Sequence, residues 1–168
     1  KLGPGHIDVA KSLSSLADVY QDQGAYQKAD SLLHRSLRIQ ETELGLEHLD
    51  VAKTLDALAQ LYREQGKYAQ SEPMFERSLQ IRENASSPDQ LLIASSLSSL
   101  SMLYREEGKY AKAENLSLRS LRIREKVLDS EHPYISLSLN NLARLYKEQG
   151  KYGEAEPLYL RSLQIAEK

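Results

Sequence analysis

The strongest constraint on this chain is a repeat. The string VYQDQGAYQKAD at 19–30 returns as LYREQGKYAQSE at 61–72, LYREEGKYAKAE at 103–114 and LYKEQGKYGEAE at 145–156, displaced by 42 residues each time. Self-similarity at such a period means that one unit cannot bury its own apolar face and must stack on a neighbour, so the expected core is a ribbon running along an array. The 168 residues equal four periods, divided here as 1–42, 43–84, 85–126 and 127–168, and the chain opens at Lys1. Both points lead us to expect a segment of a longer protein.

Within one period, Leu49, Ala52, Leu55, Ala59 and Tyr62 recur at steps of three or four, with Leu58 beside them, which predicts a helix with a single apolar stripe. Gly66 follows where the stripe ends, placed to take the left-handed conformation that closes a last turn. Tyr68, Phe75, Leu79 and Ile81, with small Ser71 and Ser78 between them, predict a second helix over about 68–83. Two helices joined by so short a turn must run antiparallel. Asp8 and Asp50 suit a first helical turn and Pro133 a first helical position, whereas Pro73 and Pro157 fall inside second helices and are expected to kink them mildly. The tyrosines that repeat in register, Tyr62 and Tyr68 with their counterparts, are read as packing residues.

Several function classes are disfavoured by composition. Lysine and arginine total 22 against 24 acidic residues, leaving no cationic surplus for a phosphate backbone, so nucleic acid is not an expected partner. Apolar runs such as LLIA at 91–94 are too short to insert across a bilayer. The absence of cysteine removes disulfides, thiolate metal sites and a thiol nucleophile, and fits an intracellular, cytoplasmic location. Of the four histidines, His6, His48 and His132 sit at one repeat spacing, which points to turn capping or packing and not to a metal. With no phosphate-binding, zinc-protease or nucleophile-elbow string, the chain reads as a non-enzyme without cofactors.

The order Leu58, Ala59, Tyr62, Gly66, Ser71, Phe75, Ser78, matched in the other three units, resembles the tetratricopeptide repeat. The 42-residue period and phrases such as LGPGHIDVA, NNLARLY, QGKY, EAEPLY and RSLQI are similar to the kinesin light chain subclass, with like tracts in nephrocystin-3 and bacterial multidomain regulators. The resemblance implies an all-α, right-handed α-solenoid of four antiparallel helical hairpins, whose first helices line a concave groove that receives a partner's linear peptide. The function it implies is a protein–protein interaction adaptor; the alternative is a structural or regulatory solenoid, a spacer or self-association module of a larger scaffold or sensor.

Carrying the family's groove positions across places Lys53, Asp56, Gln60 and Arg63 in the second unit, Ser98, Ser99, Met102 and Arg105 in the third, and Leu137, Asn140, Asn141, Arg144 and Lys147 in the fourth. An asparagine amide offers a donor and an acceptor to a bound backbone, and only the fourth unit keeps the Asn-Asn pair. Met102 and Leu137, beside Arg105, Asn141 and Arg144, mark the candidate pocket for an aromatic or aliphatic anchor next to an acidic residue. Arg63, Arg105 and Lys147 recur in register with Glu64, Glu106 and Glu148, and are read first as bridges between neighbouring repeats.

Two departures from the pattern carry expectations of their own. The third unit opens with ASSPDQ where the others have LGPGH, LGLEH or LDSEH, so the second-to-third connection is expected to be the most mobile, with locally altered stacking. The last helix, LYLRSLQIAEK, carries Leu158, Leu160, Leu163 and Ile165 with no helix after it to cover them, a face suited to self-association.

Overall fold

The computed structural model describes residues 3–167. Eight helices account for most of them: α1 (Ile7–Asp22), α2 (Tyr26–Leu44), α3 (Leu49–Glu64), α4 (Tyr68–Asn84), α5 (Gln90–Glu106), α6 (Tyr110–Val127), α7 (Pro133–Glu148) and α8 (Tyr152–Ala166). Consecutive helices pair as hairpins, α1 with α2, α3 with α4, α5 with α6 and α7 with α8. The chain divides between Pro88 and Asp89 into two compact units of two hairpins each. In the first unit α2 packs on α3, and in the second α6 packs on α7.

The hinge inside each hairpin is the repeated string read as structure. Gly66 lies at φ 69°, its N–H reaches the Arg63 carbonyl at 2.9 Å, and the Lys67 N–H reaches the Tyr62 carbonyl at 2.8 Å. That pair of bonds is the Schellman closure, which uses a left-handed residue to satisfy the last carbonyls of a helix. The same bond to the tyrosine carbonyl recurs from Ala25 to Tyr20, Lys109 to Tyr104 and Lys151 to Tyr146, at 2.8–2.9 Å. Hence each hairpin turns over three residues.

The entrance to each first helix is capped by a side chain. His6, His48 and His132 accept the N–H two residues on through Nδ1, at 3.2, 3.1 and 3.1 Å. The histidines therefore cap turns, and this role needs an unprotonated Nδ1. In the third unit Asp89 takes over, accepting from both Leu91 N–H and Leu92 N–H at 2.9 and 3.1 Å. It stands one residue earlier in the repeat, and α5 accordingly starts one residue earlier than α3. Asp8 and Asp50 do occupy first turns, and Pro133 does open α7. Helices α4 and α8 remain single elements through Pro73 and Pro157.

Each hairpin is drawn together at a buried serine. Ser36, Ser78, Ser120 and Ser162 donate from the second helix to the carbonyls of Ala10, Ala52, Ala94 and Ser136 on the first, at 2.8, 3.0, 2.7 and 3.1 Å. A residue this small lets the backbones approach, and its hydroxyl is satisfied in an otherwise apolar seam. Near the hinge Ser71 donates to the Ala59 carbonyl at 2.7 Å in the same manner.

Leucines fill the space between hairpins. In the first unit Leu33 and Leu37 of α2 join Val51, Leu55, Leu58 and Leu61 of α3 in one buried cluster. Tyr62 spans the joint by donating to the Asp30 carboxylate at 2.6 Å, and Tyr146 does likewise to Glu114 at 3.0 Å in the second unit. Burial first, then that hydrogen bond, then the carboxylate's charge, push both phenols up to about 12. At another shared position the units differ. Gln40 accepts from Thr54 at 2.7 Å in the first, whereas in the second Arg124, 4% exposed, donates to the Ser138 hydroxyl and lies over the face of Tyr134. Among the described residues its Nε has no hydrogen-bond partner, and burial holds its pKa down.

Candidate partner-binding surface

The candidate residues of the first unit all lie on α3, and most are engaged with other side chains. Lys53 pairs with Asp50 at 2.8 Å. Asp56 turns inward to Arg82, a buried residue of α4, and burial outweighs the arginine in raising its pKa. Gln60 donates to Glu64 at 2.7 Å and accepts from Arg63 at 3.2 Å, while Glu64 also receives Gln21 of α1 at 2.8 Å. This face is a cross-linked polar sheet.

In the second unit, α5 and α7 bring several candidates to one place. A recess is lined by Ser98, Ser101, Met102 and Arg105 of α5, Ser117 of α6, and Ser138, Asn141, Arg144 and Leu145 of α7. Five of the residues expected to bind thus converge: Ser98, Met102, Arg105, Asn141 and Arg144. Ser99, Leu137, Asn140 and Lys147 do not line it; Leu137 is 50% exposed, and Asn140 and Lys147 are also exposed.

Glu148 governs the charge at this recess. It accepts from Arg105 at 2.6 Å and from Arg144 at 3.2 Å. The Arg105 side chain is only 10% exposed, whereas that of Arg144 is 62% exposed. Between successive hairpins of this unit, Arg105 therefore bridges to the acid one repeat later, as Gln21 does to Glu64 in the first unit.

The floor presents acceptors. Ser101 donates to the Ala113 carbonyl at 2.7 Å and lies 2.6 Å from Ser117. Ser138 donates to the Tyr134 carbonyl at 3.0 Å, and Ser98 has its proton directed at the Ala94 carbonyl or Ser120. With those protons committed, the serine oxygens offer lone pairs beneath a rim of arginine and asparagine donors. The cavity volume is about 30 Å³. That holds water and is far from the roughly 300–1,000 Å³ of a site that encloses a drug-sized ligand. The recess as it stands has no room for an aromatic ring.

Among the described residues no three histidine or acidic side chains are grouped to hold a metal ion, and no helix is long and apolar enough to cross a membrane.

The family model for the tetratricopeptide repeat matches residues 8–84 and 92–168. Among curated proteins, comparison by sequence finds no match. Among solved structures, the nearly identical TPR-like repeats of a Podosopora anserina protein assigned as a kinesin light chain are 28% identical, with a TM-score of 0.84 over 99% of this chain and 79% of that one. BtubC (BKLC) from P. vanneervenii is 23% identical with a TM-score of 0.86, covering 96% of this chain and 65% of its own. The apo form of RapI is 23% identical with a TM-score of 0.83, and this chain spans 57% of it. The latter two likenesses bear on fold alone, and together the three give the all-α hairpin solenoid.

Proposed function

The chain belongs to the tetratricopeptide repeat family, and from that premise we propose that it is a protein–protein interaction adaptor that binds an extended segment of a partner on α5 and α7. The observation that carries this reading is the convergence of Arg105, Asn141, Arg144 and Met102 at one recess. An acidic residue of the partner exchanges with Glu148 for Arg144, whose side chain is 62% exposed. An aliphatic or aromatic residue rests on exposed Leu137, outside the recess, because the cavity is too small to enclose it. Asn140 and Asn141 supply donors and acceptors for the partner's backbone. The task is binding without a cofactor and without catalysis, in an intracellular setting.

Affinity capture with the chain and its Asn141→Arg, Arg144→Glu variant, side by side, tests this. A partner should be retained by the natural chain and lost by the variant, with helicity by circular dichroism unchanged. Equal capture by both would remove the recess from the function.

A second reading, a spacer or self-associating scaffold element, is favoured by one observation: Leu160 and Leu163 on α8 are each 53% exposed.

A further inference from the structure

A second cavity lies away from α5 and α7, in the first unit. Its volume is about 320 Å³, at the small end of the roughly 300–1,000 Å³ of sites that hold small molecules. It is lined by Gln27 and Asp30 of α2, Tyr62 of α3, Gln65 and Lys67 of the hinge, and Gln70 of α4. All belong to the internal joint that α2 makes with the next hairpin, and none is among the candidates for partner binding.

This joint differs from its counterpart in the second unit by one methylene. There, two periods on, Glu114 accepts from Tyr146 through Oε1 and pairs with Lys151 through Oε2 at 3.5 Å. The first unit has Asp30 and Lys67 at those positions. Asp30 still accepts from Tyr62 through Oδ1 at 2.6 Å, and His34 lies 3.6 Å from the same oxygen. The shorter acid does not meet the lysine. Lys67 donates instead to Oε1 of Gln65 at 2.6 Å and lies over the Tyr62 ring, 6.0 Å from its centre. Among the described residues Lys67 forms no ion pair, and no hydrogen bond reaches Oδ2 of Asp30. The cavity therefore presents a carboxylate oxygen and an ammonium that leave each other unpaired.

We propose that this cavity binds a free α-amino acid. The ligand's ammonium pairs with Oδ2 of Asp30 and its carboxylate with Nζ of Lys67, so one molecule supplies both charges that the missing methylene keeps apart. A simple anion would pair with Lys67 and face Asp30; a simple cation would do the reverse. Gln27, Gln65 and Gln70 surround the two charges with amide donors and acceptors, which suit a polar side chain. The inference is independent of peptide capture on α5 and α7.

Two-dimensional NMR of the isotope-labelled whole chain, titrated with the common amino acids one at a time, tests this. At least one should give saturable shifts at Gln27, Asp30 and Gln70. Its N-acetyl and carboxamide derivatives, each keeping a single charge, should bind about tenfold more weakly or worse. Asp30→Glu should let Lys67 pair as Lys151 does and weaken binding about tenfold, with the Tyr62 bond and the helicity by circular dichroism retained. The absence of a saturable shift with any amino acid would overturn the inference. Equal binding of the two derivatives would overturn it too, as would binding that Asp30→Glu leaves unchanged.

Discussion

At the residue scale, the cap histidines and the joint tyrosines show how one side chain fixes a backbone or a seam. His132→Ala leaves the Tyr134 N–H without its acceptor and should cost about 1 kcal/mol in thermal or chemical unfolding, whereas His132→Asp, copying Asp89, should restore it. The phenols of Tyr62 and Tyr146 sit at about 12 in the folded chain, against about 10 when unfolded. Between those values the folded state holds protons that the unfolded state has released. Stability is then full below pH 10 and declines as pH rises through 12. Alkaline titration followed by circular dichroism should show this loss, and it should flatten in the Tyr62→Phe, Tyr146→Phe variant. Arg124 is a different case: a buried guanidinium with no ion pair among the described residues and an unpartnered Nε. Arg124→Gln, the residue that the first unit uses at that position, should be neutral or stabilising by about 1 kcal/mol in denaturant unfolding, and a clear loss would mean the charge is compensated.

At the element scale, hairpins depend on a glycine at one end and a serine in the middle. Gly66 lies at φ 69° with nothing within 4 Å of an added Cβ, so Gly66→Ala should cost about 1–2 kcal/mol from backbone strain alone. Ser78→Ala should cost about 1 kcal/mol for the lost bond to the Ala52 carbonyl, and Ser78→Leu more, because the seam is closed on it. Helix limits and the glycine turn were legible in the sequence, since apolar spacing and a residue free to adopt positive φ report directly on local geometry. The serine bonds were not: Ser71 and Ser78 read only as small residues, because an acceptor on another helix leaves no local trace. Asp89 as a cap was hidden by its one-residue offset from the histidines.

At the scale of the whole molecule, the period alone led to an array of hairpins, and the structure contains four, two in each compact unit. The division between Pro88 and Asp89 falls in the one connection whose sequence departs from the repeat. The candidate surface was legible in part. Carrying the family's groove positions across put Met102, Arg105, Asn141 and Arg144 in one neighbourhood, and the four line one recess. That transfer could not show that Asp56 turns to Arg82, or that the recess closes to about 30 Å³, since both depend on how side chains fill a joint.

The most direct test of partner binding is amide hydrogen exchange of this chain with and without a partner segment obtained by capture. Slowed exchange concentrated in α5 and α7, around Arg105, Asn141 and Arg144, is the expected result. Slowing confined to α6 and α8, with α5 and α7 unchanged, would contradict the proposed surface and assign binding to the second helices.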